Sequence, residues 1–205
     1  MAKEVDPGRL KPLLTSAVFH AVTELRRTRP EEHFYAFALF TSGEVHSFNL
    51  SANSEEGLSR ASESASSEDG TPVGLHRRSM RWMPANWAYH CIGKTFKKAN
   101  AVLPRPWPIG GGVVALDQAV AESDRILKAG AEVLKALDAE GIFGIGEDRD
   151  RVTISILMGD QSTKERLHFA ALLNPRRIVV RFRKELEEGE QAFFKWSSLR
   201  RKKKK

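Results

Sequence analysis

The stretch His33-Phe34-Tyr35-Ala36-Phe37-Ala38-Leu39-Phe40-Thr41-Ser42-Gly43-Glu44-Val45-His46-Ser47-Phe48-Asn49-Leu50 decides the fold class. His33 to Phe40 is aromatic-rich and apolar on both faces. Thr41-Ser42-Gly43 supplies a turn, and from Glu44 to Leu50 the residues His46, Phe48 and Leu50 alternate. This pattern predicts a β-hairpin.

Before it, Leu14, Ala17, Val18, Ala21, Val22 and Leu25 recur at three- and four-residue steps after Pro12, which predicts an amphipathic helix ending near Arg27. After it, Ser51 to Thr71 is dominated by Ser, Glu, Ala and Gly. A mobile or weakly packed excursion is expected near 51–75, with Ser54 to Ala65 able to form a solvated helix. Ala101 to Gly112 is rich in Pro and Gly and reads as a loop.

Asp117 caps a long predicted helix reaching about Glu140, with Val120, Leu127, Leu134 and Leu137 along one side and Gly141 as its stop. Ile142 to Ile145 and Val152 to Met158 read as two strands around the turn Gly146 to Asp150, a second hairpin. Ser162 and Glu165 have capping-box spacing for a helix through Leu173, and Asn174-Pro175 pairs an N-cap with a first-position proline for another. That last helix turns Ile178, Val179, Phe182 and Leu186 inward and Arg177, Arg181 and Lys184 outward. The alternation of Ile178, Val180 and Phe182 keeps a strand over 175–186 open. The sum is an α+β fold: a central, mostly antiparallel sheet built from two β-hairpins, packed against several amphipathic helices. It forms a single globular domain over 1–199 with a disordered basic tail at 200–205.

A chain of 205 residues with 41% hydrophobic content can bury one sizeable core. The longest apolar run, Phe34 to Phe40, is far shorter than the roughly 20 residues a membrane helix needs. The N-terminal residues are of mixed charge and lack the apolar centre of a secretory signal, so a cytoplasmic location is expected. The single cysteine, Cys91, agrees with a reducing compartment. The last six residues, Arg200 to Lys205, carry six of the seven net positive charges, which leaves the remainder at +1. The charge therefore describes a tail more than a surface.

Chemical signatures are sparse. Gly110-Gly111-Gly112 lacks the spacing of a nucleotide loop, and prolines on both sides of Trp107 favour a structural role. Cys91 adjoins His90, but neighbouring side chains rarely face each other, so Cys91 is expected to be buried as a small apolar residue. The six histidines are scattered without zinc spacing. Glu147, Asp148 and Asp150 are typical of a polar turn, although a metal-dependent hydrolase would draw on them. No cofactor and no metal are expected. The most suggestive segment runs from His76 to His90. Its Arg77, Arg78, Arg81, Trp82, Trp87 and Tyr89 combine cations with aromatic rings, the residue types that dominate interface energetics. Packing of Trp82 and Trp87 into the core competes with that reading.

Phe37-Ala38-Leu39-Phe40-Thr41-Ser42-Gly43-Glu44-Val45 with Ser51-Ala52-Asn53-Ser54-Glu55-Glu56-Gly57-Leu58, then Trp82, Trp87-Ala88-Tyr89, Phe143-Gly144-Ile145-Gly146-Glu147 and Leu172-Leu173-Asn174-Pro175, together resemble a bacterial family known as domain of unknown function 4303. The resemblance supplies no reaction. It implies a loose similarity to small cytoplasmic proteins that neutralise bacterial toxins by binding them. The lysine run at the end departs from the family's usual ending.

The leading expectation is a non-catalytic protein-binding module, of immunity type, whose partner is another protein. The alternative is nucleic-acid binding through Arg177, Arg181 and Lys184 together with the tail residues Arg200, Arg201 and Lys202, non-specific and salt-sensitive. No membrane association is expected.

Overall fold

Phe34–Thr41, the first half of the deciding stretch, forms the strand β1, and seven of its eight residues are buried. The computed structural model describes residues 4–104, 113–159 and 161–203. Around β1 run α1 (Pro7–Thr28), β2 (Asn49–Ser54), α2 (Glu55–Asp69), α3 (Val73–Met80), β3 (Tyr89–Ile92), α4 (Lys97–Asn100), α5 (Val113–Ala139), α6 (Gly146–Arg151), β4 (Thr153–Met158), α7 (Thr163–Leu173) and α8 (Arg176–Lys203). The four strands form one mixed sheet in the order β3-β2-β1-β4. β1 and β2 are antiparallel, with Leu39 opposite Leu50; β2 and β3 are antiparallel; β1 and β4 are parallel, with Leu39 opposite Ile156.

A strand apolar on both faces needs cover on both. One face presents Phe37, Leu39, Leu50, Ile154 and Ile156 to a core shared with α1 and α5. The other offers the small Ala36 and Ala38, and Leu58, Trp82, Trp87, Phe182 and Leu186 pack over it from α2, the segment after α3 and α8. The α+β class is therefore as the sequence implies, and two of the three strand pairings are antiparallel.

The second hairpin is not formed. Residues 142–145 make a turn, and 146–151 are the helix α6. Gly141 N donates to Asp138 O at 2.9 Å and Ile142 N to Leu137 O at 3.1 Å, the paired bonds that close a helix with a left-handed glycine, here at φ +79°. Gly144 and Gly146 also have positive φ, which interrupts a regular strand here. Phe143 anchors this turn, buried against Phe37 at 5.6 Å, with Ile142 partly buried on the same core, while Ile145 stays exposed. β4 consequently finds its ladder on β1 instead.

The first hairpin forms with a shift: β2 begins at Asn49, and the alternating residues 44–48 lie in the connection. There Asn100 clamps Phe48, its Oδ1 accepting from Phe48 N at 2.8 Å and its Nδ2 donating to Phe48 O at 2.9 Å.

Three further boundaries differ. α1 starts at Pro7, where Asp6 caps Gly8 N at 2.8 Å, so Pro12 lies inside the helix. α5 starts at Val113, which puts Asp117 within it, and Val120 is exposed while Leu127, Leu134 and Leu137 are buried. The Ser/Glu-rich region expected as a loose excursion supplies buried strand residues 51–54 and α2, closed by a Ser54 N-cap and a left-handed Gly70.

The capping box Ser162–Glu165 is present as expected. α8 is a helix with Ile178, Phe182 and Leu186 buried, and it runs from Arg176 to Lys203. The Gly110-Gly111-Gly112 loop and Lys204-Lys205 lie outside the described residues.

Candidate functional site

The segment 76–90 folds over the Ala36/Ala38 face, and its tryptophans go inward. Trp82 and Trp87 are 7% and 5% exposed; Trp82 stands edge-on to Phe182 at 4.6 Å and to Tyr35 at 5.3 Å. Their indole nitrogens are satisfied, Trp82 Nε1 by Glu185 at 3.0 Å and Trp87 Nε1 by Arg81 O at 3.0 Å. Arg81 lies over the Tyr35 ring at 4.1 Å and pairs with Glu55 at 2.7 Å and Glu185 at 3.2 Å. Arg77 pairs with the same Glu55.

Burial opposes the charge on Arg81, but the hydrogen bonds it donates to Glu55 and the neighbouring carboxylates more than offset it, holding its pKa above the ordinary value. Burial likewise opposes the charge on Glu55, and Arg81 and Arg77 hold its pKa below the usual range. Burial raises the Tyr35 phenol, whose hydroxyl donates to Arg81 O and accepts from Asn53 Nδ2. These groups are spent on one another and tie α2, α3 and α8 to the sheet. Tyr89 packs on Phe34 in the opposite core, and Arg78 alone of the six is exposed. The structure does not bring the six residues to one surface.

Beside Trp82 a groove of about 400 Å³ opens between α3, α7 and α8. Trp82 and Leu186 line it, with Phe193 and Phe194 on the α8 wall. Phe193 is 39% exposed and Phe194 72%. Gly189 sets the helix approach: a Cβ there would stand 3.1 Å from Arg78 O on α3. Across the groove, Arg166 Nη1 donates to Trp82 O at 3.0 Å, and its buried Nε has no partner among the described residues. Burial depresses the Arg166 pKa, against the pull of Glu190. Glu190 itself accepts from Thr163 at 2.5 Å. A sequence signal for this surface existed: Phe193 continues the Ile178/Phe182/Leu186 stripe, so Phe194 must fall beside it.

Cys91 is exposed, not buried, and its Sγ does meet His90 Nε2 at 3.2 Å. A positive φ of 56° at Cys91, where β3 slips against β2, turns the two side chains together. Burial nevertheless raises the thiol pKa and lowers that of the imidazole, directions that disfavour a thiolate–imidazolium pair.

The acidic residues do not converge: Asp150 pairs with Arg177, and Glu147 lies 3.9 Å from Arg151 at the surface. Among the described residues no group of His, Cys, Asp and Glu is arranged to hold a metal. Of the nucleic-acid set, Arg181 is committed to Asp150 O at 2.6 Å and Arg151 O at 3.0 Å at the end of α6. Lys184 is exposed near Glu188, and Arg200, Arg201 and Lys202 continue α8. No described helix is long and apolar enough to cross a membrane.

The family model of a domain of unknown function, DUF4303, matches residues 14–175, from within α1 to the residue before α8. The chain belongs to this DUF4303 family. No curated protein and no solved structure matches it. The matched span contains the whole sheet and both cores' strands, and α8, the Phe193/Phe194 wall of the groove, follows it.

Proposed function

We propose that the protein is a non-catalytic protein-binding module whose partner seats in the α3–α7–α8 groove. The observation that carries this is the pair Phe193 and Phe194, left exposed at the mouth of an apolar groove walled by Trp82 and Leu186. Exposed aromatic patches of this kind mark interaction surfaces, and aromatic side chains dominate interface energetics.

The occupant is a protein segment that inserts an apolar side chain between Trp82 and Phe193 and sets a carboxylate near Arg166. Charge complementarity supports that choice, since the buried Nε–H of Arg166, which lines the groove, has no partner among the described residues. An immunity-type role, in which the covered partner is a toxin, is one use of such a surface. Nucleic-acid binding has weaker support, because Arg177 and Arg181 are occupied within the fold.

The test is affinity capture from the native host with three proteins: the full chain, the chain lacking Arg200 to Lys205, and Phe194→Asp. A stoichiometric protein held by the first two and lost by the third supports the reading. Retention of that protein by Phe194→Asp, or nucleic acid lost with the tail as the only ligand, overturns it.

A further inference from the structure

A second concavity, of about 360 Å³, lies where β1 and β4 begin, between the end of α1 and α6. Its lining brings together Arg26 and Arg29 from α1 and the residue after it, Arg151 from α6, and the carboxylates Glu32 and Asp148. Three guanidiniums from two separate parts of the chain around one space invite a count of what neutralises them.

Glu32 is already committed. Its carboxylate is 3% exposed, accepts from Ser54 Oγ and pairs with Arg60 at 2.7 Å. Asp148 is the one carboxylate of the lining left to face the cations, and it acts on Arg26 at a distance. Arg26 is half buried with its guanidinium 5.5 Å from the Phe37 ring centre, and its buried Nε has no partner among the described residues. Arg29 donates to Thr28 O, and Arg151 has only the 3.9 Å approach of Glu147. His33, also on the rim, is turned to Glu56 at 2.7 Å. The lining therefore holds more positive charge than its own carboxylates balance.

We infer that this pocket binds the phosphate group of a small phosphorylated molecule, with Arg26 as its floor and Arg29 and Arg151 closing on it from two sides. Guanidinium forks match phosphate oxygens in pairs, and three of them suit a tetrahedral anion with several acceptor oxygens better than a planar carboxylate with two. The volume lies within the range of small-molecule sites and leaves room beyond the phosphate. Asp148 is then a competing anion that a ligand displaces or neutralises.

Isothermal titration of the full chain at low chloride tests this, with inorganic phosphate, AMP and acetate as probes. Saturable binding of phosphate or AMP, with acetate at least tenfold weaker, is expected; tighter binding of AMP than of phosphate identifies a phosphorylated molecule, and equal binding the free anion. Arg29→Gln and Arg151→Gln, both exposed positions, should each weaken it several-fold, and Asp148→Asn should strengthen it. No saturable binding, binding as strong for acetate, or binding unchanged in the Arg29→Gln/Arg151→Gln double variant overturns the inference, the last of these assigning the anion to the basic tail.

Discussion

Asn174→Ser separates two roles for one residue. The sequence marks Asn174 as the N-cap of α8, yet its amide is spent on the outer edge of β4. Oδ1 accepts from Ile154 N at 2.9 Å, and Nδ2 donates to Ile154 O at 2.7 Å and to Ala170 O at 2.8 Å. β4 ends the sheet, so without this side chain the backbone groups of Ile154 have no ladder partner on that side. Arg149, paired with Asp138 at the end of α5, reaches the same Oδ1 at 3.2 Å.

A serine hydroxyl is too short to bridge both groups. Losing two hydrogen bonds at about 0.5–1.5 kcal/mol each, and stranding partly buried partners, amounts to roughly 2–4 kcal/mol. At about 2–4 °C per kcal/mol for a chain of this size, Tm should fall by roughly 5–15 °C. Ser and Asn are nearly equal as helix caps, so a capping role alone would cost under about 0.5 kcal/mol. Urea unfolding with an unchanged m-value is the assay. A loss below about 0.5 kcal/mol would refute the bridging role.

Gly141→Ala should destabilise by about 1–2 kcal/mol, since φ is +79° and the new Cβ would meet Ile145 Cγ2 at 2.9 Å; thermal unfolding measures it. Hydrogen bonds from His76 and Trp196 hold the Asp69 pKa well below the usual carboxylate range. A folded pKa below the unfolded one stabilises above about pH 4 and loses that contribution as pH falls through the folded value. Asp69→Asn should therefore lower stability at pH 7 and flatten its decline below pH 4 in denaturant titrations; parallel curves for variant and parent would count against this. Cys91, although exposed, has its thiol pKa raised, so its alkylation rate should still be climbing above pH 9; a plateau near pH 7 would show instead a thiolate made by His90.

What the sequence made legible was local. The apolar run Phe34–Phe40, the helical steps of Leu14 to Leu25 and of Ile178 to Leu186, and the Ser162–Glu165 box each state a preference that packing then keeps. What it concealed was pairing. β4 has the alternation of a strand but nothing in it names β1 as its parallel partner across more than a hundred residues, whereas the adjacent Ile142 to Ile145 offered a nearer one.

The candidate site was hidden for a related reason. Arg77, Arg81, Trp82 and Trp87 carry the composition of an interface, but Glu55 and Glu185, distant in sequence, turn the first three into internal ties, and Trp87 is buried on the Arg81 carbonyl. Two neighbouring exposed aromatics stand instead at Phe193 and Phe194, in a helix otherwise dense with charge.

Site-specific photo-crosslinking tests the proposed binding surface most directly: a photoreactive phenylalanine analogue replaces Phe194 in host cells, with the same analogue at Phe19, an exposed position on α1, as the comparison. One discrete protein adduct from position 194 and none of it from position 19 is the expected result. The same adducts from both positions, or none from 194, would contradict a partner seated in the groove.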